Sequence, residues 1–105
     1  MPFASISTSS SGDTTIVAAQ PNRKIRVICY TVVAAGDVSV RFKSGASTNL
    51  TGAMPLATNG GAAPSGAGIS PAGFVGLFET AIGEALVINL SAAVAVGGHL
   101  TYQSL

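Results

Sequence analysis

Hydrophobic and polar side chains alternate with a period of two along much of this chain. Such alternation predicts β-strands, because successive side chains of a strand point to opposite faces. No apolar repeat of 3.6 residues persists for even about three turns, so the pattern predicts no helix. The sets of side chains predicted to share a face are Thr14, Ile16 and Ala18; Ile25, Val27 and Cys29; Val38, Val40 and Phe42; Leu86, Ile88 and Leu90; and Val94, Val96, Leu100 and Tyr102.

The strongest strand prediction covers Lys24–Val33, whose second half is apolar on both faces. A short connection, Ala34–Asp37, separates it from the alternating run Val38–Lys43. This spacing predicts that the two runs pair as a β-hairpin. Cys29 lies inside the apolar run, and we expect it to be a small core residue.

Glycine-rich segments punctuate the rest of the chain. Asn59–Gly61 predicts a turn with positive φ, and an apolar island at Met54–Leu56 predicts one brief strand. Gly97 and Gly98 predict a bulge or a close backbone approach within the last strand. Residues 62–70 are predicted to form an extended surface loop, which either binds a partner or tolerates insertions.

Together these signals predict an all-β protein, a single-domain β-sandwich or jelly roll of about six to eight short antiparallel strands. The chain of 105 residues fits one domain. Residues 1–12 are polar and of low complexity, and we expect a flexible or partner-bound N-terminal arm there. The sandwich domain is then expected over residues 13–105.

Charged residues make up only 9% of the chain, against about 25% in an average soluble protein. The surface is therefore unusually neutral, which indicates either subunit contacts or simply a coat of small residues. The net charge of +1 argues against nucleic acid as a partner. The basic residues fall in two short stretches, which form either solvated strand faces or, on adjacent strands, a small basic patch; they are Arg23, Lys24, Arg26, Arg41 and Lys43.

No run approaches the roughly 18 apolar residues needed to cross a bilayer, so we expect no membrane partner. The first residues lack the charged and apolar regions of a signal peptide. We therefore expect synthesis in a cytoplasm, where the protein either stays soluble or joins an assembly.

Residues capable of catalysis are sparse. His99 is the single imidazole, and its alternation with Leu100 predicts that it faces outward. Glu79 and Glu84 are the nearest carboxylate pair, five residues apart across a predicted turn, where a surface role is expected. The tract Gly60–Gly68 contains no lysine and does not connect a strand to a helix, unlike a phosphate-binding loop. We predict no catalytic, cofactor-binding or metal-binding residues and therefore no enzyme.

Several segments of the chain resemble a family of small tailed-bacteriophage virion proteins. They are IRVICYTVVAAG, VRFKSGAS, GAMPLA, GLFET and, most distinctively, GEALVINLSAAVAVGGHLTY. The resemblance spans roughly Lys24 to Tyr102 and implies a small β-domain attached to a phage particle. It implies a head decoration (cement) protein, with a tail or fibre component as the neighbouring possibility. Proteins of this kind commonly form dimers or trimers and contact the major capsid protein.

Two functional hypotheses remain open at this point. The first is a capsid decoration protein that stabilises a phage head in the virion through subunit contacts. The second is a binding module that recognises a host glycan or protein through its long loops. Sugar sites usually present exposed aromatic rings, and only Tyr30 among the aromatic residues has an uncertain position.

Overall fold

The computed structural model describes residues 2–63, 69–70, 73–74 and 77–105. Within these residues the chain forms twelve β-strands and no helix. Six strands contain five residues or more, and the others contain two or three. The strands are β1 (Phe3–Thr8), β2 (Gly12–Val17), β3 (Ile25–Ala34), β4 (Val38–Ser44), β5 (Thr48–Asn49), β6 (Met54–Leu56), β7 (Gly61–Ala62), β8 (Ile69–Ser70), β9 (Gly73–Phe74), β10 (Phe78–Glu79), β11 (Leu86–Leu90) and β12 (Val96–Ser104).

Two antiparallel sheets form a sandwich, which confirms the predicted fold class. Sheet A has the order β1-β12-β3, and both β7 and β10 pair with the far side of β3. Sheet B has the order β2-β11-β4, and both β5 and β6 pair with the far side of β4. Each sheet therefore has one continuous edge strand and one edge made of two short strands. A separate small ladder joins β8 to β9.

The core lies between the sheets and consists of the inward side chains of the six longer strands. Phe42 is fully buried at its centre, with its ring centroid 4.9 Å from that of Tyr30 and 5.4 Å from that of Phe78. The predicted inward sets on β4 and β11 are confirmed, as is the inward position of Val96 and Leu100 on β12. The fully buried side chains include Ile25, Val27, Val32, Val40, Leu86, Ile88 and Leu100.

The predicted hairpin between Lys24–Val33 and Val38–Lys43 is wrong. β3 lies in sheet A and β4 in sheet B, so the intervening residues carry the chain from one sheet to the other. The backbone of these connecting residues forms hydrogen bonds with other segments: the Ala35 N–H donates to the Ala95 carbonyl oxygen at 2.9 Å. Alternation specifies which side chains face the core. It cannot tell whether two strands pair within one sheet or face each other across the core.

A β-bulge interrupts β3 and reverses the expected orientation of Cys29. Thr101 lies opposite Cys29 and Tyr102 lies opposite Val27, which leaves Ile28 as the extra residue. The inward set after the bulge is Tyr30, Val32 and Ala34. The prediction of Cys29 as a core residue is therefore wrong, because this side chain is half-buried on the outer face of sheet A.

A second bulge shifts the register of β2. Val17 lies opposite Leu86 and Thr15 opposite Val87, so Ile16 is the extra residue. Val17 consequently enters the core, while Ala18, which was predicted to share the inward face, is exposed.

The N-terminal segment, where the sequence predicts a flexible or partner-bound arm over residues 1–12, is part of the sandwich. Phe3–Thr8 pairs with β12 along its whole length as β1, and Gly12 begins β2 in the other sheet. Ile6 is buried in the core beneath this ladder. The polar composition pointed to disorder, but the backbone bonds to β12 and one apolar anchor are enough to order the segment.

Smaller predictions have mixed outcomes. Met54–Leu56 is a strand, and Asn59 has a φ of 62°, as predicted. The predicted loop over residues 62–70 overlaps β7 at Ala62. Its residues 64–68 lie outside the described residues. The predicted close approach at Gly98 is confirmed, because a Cβ atom there would clash with the Thr31 carbonyl oxygen of β3.

Candidate functional site

The outer face of sheet A carries three rows of side chains without a carboxylate, an ammonium or a guanidinium. Each row consists of paired residues of β1, β12 and β3, and its side chains point outward because the residues between the rows are the inward ones. Two exposed apolar side chains mark opposite corners: Phe3 is 77% and Val33 is 49% exposed. We call this surface the neutral face. Its rows are Phe3, Thr101 and Cys29; Ser5, His99 and Thr31; and Ser7, Gly97 and Val33.

Charged side chains of sheet A are gathered at one end, beyond the neutral face. Glu79 of β10 lies opposite Arg26 of β3, and the Glu79 carboxylate is 3.5 Å from the Arg26 guanidinium. The same carboxylate is 3.8 Å from the Lys24 ammonium. All three side chains are partly exposed, so these ion pairs contribute little stability. Their effect is to leave the remaining rows of the face uncharged.

Sheet B presents a different outer face. Asp13, Asn89 and Arg41 form one row across β2, β11 and β4, and Lys43 lies in the next row. The Lys43 ammonium donates to the Asp13 carboxylate at 3.1 Å and to the Ala46 carbonyl oxygen at 2.9 Å. The two faces of the sandwich therefore differ in chemistry, with sheet B the better suited to contact with water.

Asp13 is the centre of a small polar cluster on sheet B. The Asn89 amide donates to its carboxylate at 2.7 Å, and this bond is the main reason that the pKa of Asp13 lies below its ordinary value. Partial desolvation opposes this shift, and the hydrogen bond and charge of Lys43 add to it. The cluster ties β2, β11 and β4 together at their polar ends.

The residues considered for chemistry are not assembled into one site. His99 is exposed on the neutral face between Ser5 and Thr31, as the alternation predicts. Glu79 pairs with Arg26, whereas Glu84 accepts a hydrogen bond from the Ser44 hydroxyl. Among residues 2–63 and 77–105, no three His, Cys, Asp or Glu side chains lie together as metal ligands would.

The two basic stretches also lie apart. Lys24 and Arg26 belong to the sheet A side, whereas Arg41 and Lys43 belong to β4 of sheet B. Because β3 and β4 are not adjacent in a sheet, the two stretches do not form a common basic patch. In the part of the chain that the structure describes, no helix is long and apolar enough to cross a membrane.

An open cleft of about 730 Å³ lies at the end of the sandwich where the chain passes from β1 to β2. Its polar lining residues include Thr8, Ser9, Ser10, Thr14 and Asn59, and the Thr8 and Thr14 hydroxyl oxygens lie 3.0 Å apart in a hydrogen bond. Apolar side chains complete the wall, among them Val33 and Val96. No aromatic side chain is among these lining residues.

The neutral face is the feature that sequence reasoning missed. Its signal was present in the uncharged alternate positions of Phe3–Ser7 and Gly97–Thr101, but the first of these segments was assigned to an arm. Only the pairing of β1 with β12 and of β12 with β3 brings the three rows into one surface. Comparison with protein-family models, curated proteins and solved structures found no match to this chain.

Proposed function

We propose that this protein is a virion structural protein, a capsid decoration (cement) protein that stabilises a phage head through subunit contacts. The observation that carries the proposal is the neutral face. A three-stranded surface that lacks charged side chains and exposes Phe3 and Val33 is suited to burial against protein. The resemblance of residues 24–102 to small phage virion proteins supplies the particle to which it attaches.

The two faces of the sandwich support different roles in such an assembly. The charged outer face of sheet B keeps the protein soluble before assembly, while the neutral face is covered by a second copy or by the major capsid protein. Many copies on one particle add their individually weak contacts by avidity. The proposed role needs no cofactor and no chemical step.

Copy number in purified virions tests this function. Quantitative mass spectrometry of particles is expected to find the chain at a number near that of the capsid subunit. Deletion of its gene is expected to lower the temperature at which heads release DNA. A number below about a few dozen copies per particle, too few for the avidity of a lattice, would instead assign the protein to the tail, and its absence from particles would overturn the proposal.

The cleft at the β1–β2 end favours a second candidate, a module that binds a host glycan. Its row of hydroxyl groups and the Asn59 amide are suited to hydrogen bonds with sugar hydroxyls. Binding on a glycan array that is lost on Asn59→Ala, and retained on Asn49→Ala in the exposed strand β5, would favour this candidate. A complete lack of array binding would eliminate it.

A further inference from the structure

The four edges of the two sheets are not equally protected against pairing with another strand. An exposed edge presents unpaired N–H and C=O groups, and proteins usually protect it by short strands, proline, charge or a bulge. The far edge of sheet A consists of β7 and β10, two residues each, and that of sheet B consists of β5 and β6, with Pro55 in β6. The β2 edge carries Asp13 and a bulge.

The β1 edge has none of these features. Its six residues contain no charge and no proline, and its ladder with β12 runs without a register shift. The Tyr102 N–H donates to the Pro2 carbonyl oxygen at 3.1 Å, which fixes the direction of the backbone groups. Because these directions alternate along an antiparallel strand, Phe3, Ser5 and Ser7 point their N–H and C=O groups away from β12, toward the edge with which no other described strand pairs.

We propose that two copies of this chain pair through their β1 strands, antiparallel, about a two-fold axis at Ser5. In this register Ser5 exchanges both backbone bonds with the partner subunit's Ser5, and Phe3 exchanges both with the partner subunit's Ser7. Sheet A then continues from one copy into the other, and the two neutral faces join into one surface. The absence of charge on β1 means that the axis brings no like charges together.

This inference deepens the self-association contained in the proposed function by naming its surface and symmetry. Among the described residues, no side chain hydrogen-bonds the backbone of Phe3, Ser5 or Ser7. The Ile6 and Ala4 side chains lie on the inner face, where they extend the two cores toward each other across the axis. A second copy is the occupant that fits, because it brings a strand of equal length, equal lack of charge and matching direction.

Sedimentation equilibrium of the purified full chain tests the inference through two kinds of variant. Ser5→Pro removes the N–H that points to the free edge while leaving the bonds to β12 intact. We expect dimerisation about thirtyfold weaker, which corresponds to about 2 kcal/mol for the two lost bonds. Far-UV circular dichroism and the melting temperature confirm that the variant is folded.

Introducing a charge at residue 5 provides the sharper test, because this residue lies opposite its own copy across the two-fold axis. Ser5→Lys and Ser5→Glu are each expected to dimerise more weakly than the wild type, because like charges meet at the axis, and an equimolar mixture of the two is expected to form the heterodimer preferentially. The matched controls are Thr15→Lys and Thr15→Glu on the exposed β2 edge, which are expected to dimerise like the wild type. The side chain of Thr15 is exposed, as that of Ser5 is.

The outcomes separate this inference from the function. A wild-type chain that stays monomeric at millimolar concentration overturns the β1 pairing, and so does a mixture of the two residue-5 variants that remains monomeric. Dimers that form unchanged in every residue-5 variant also overturn it, although they leave the proposed self-association standing. The virion copy number tests the function whatever the state of the β1 edge.

Discussion

At the scale of single residues, Gly98 permits a close approach of β12 to β3. Its φ is 156°, and a Cβ atom would clash with the Thr31 carbonyl oxygen. We expect Gly98→Ala to lower the free energy of unfolding by about 2–4 kcal/mol, because backbone strain and steric overlap both act. The neighbouring Gly97→Ala is the control: the nearest atom to its Cβ is 3.8 Å away. Urea denaturation measures both, and equal losses would contradict this explanation.

The lowered pKa of Asp13 makes the stability of the fold depend on pH. Its pKa is lowered mainly by the Asn89 hydrogen bond, so the folded state favours the carboxylate more than the unfolded state does. The stability from this cluster is therefore complete above the ordinary pKa of 3.8 and is lost as pH falls through the lowered value. We expect Asn89→Ala to raise the pKa of Asp13 toward 3.8, measured by an NMR titration of its carboxyl carbon. Thr15→Ala is expected to leave that pKa unchanged.

At the scale of elements, the bulge in β3 determines which side chains reach the core. Val27 is fully buried before the bulge, whereas Cys29 lies half-buried on the neutral face. We expect Val27→Ser to cost about 2–5 kcal/mol of unfolding free energy and Cys29→Ser less than about 1 kcal/mol. Thermal unfolding monitored by circular dichroism gives both values. Equal costs would mean that the strand has no bulge and that both side chains share a face.

The same strand shows how far the sequence could predict the fold. Regular alternation in β4 and β11 predicted their inward side chains, because a period of two has a single physical meaning there. The bulge at Ile28 could not be predicted, since the apolar second half of β3 fits either face. Nor could the sheet assignment of β3 and β4, because the connection between them is equally short for a hairpin and for a crossing between sheets.

The candidate site was harder to predict than the fold. Its three rows combine residues from both ends of the chain, with Ser5 beside His99 and His99 beside Thr31. Each strand alone shows only uncharged alternate positions, which are also typical of an ordinary solvated face. The lack of charge becomes informative when three such strands are neighbours and the charged residues of sheet A lie at one end.

At the scale of the whole molecule, the topology predicts slow folding. β1 pairs with β12 across almost the entire chain, and β3 pairs with β12 across more than half of it. The entropy cost of closing such long loops comes before the stabilising strand contacts form. Refolding is therefore expected on a time scale of about milliseconds to seconds. Stopped-flow dilution from denaturant measures this rate. Complete refolding within microseconds would show that local contacts dominate the transition state.

The unequal edges of the sheets also limit how large an assembly built by strand addition can become. Among the described residues, short strands form the far side of each sheet, with Pro55 on that of sheet B, and Asp13 and a bulge protect the β2 edge. The β1 edge is then the described edge most open to a new strand. A subunit with one open strand edge can pair with one other subunit by strand addition and with no more. This arrangement argues against ribbon growth by successive strand addition and against the fibrils to which sandwich proteins with two open edges are prone.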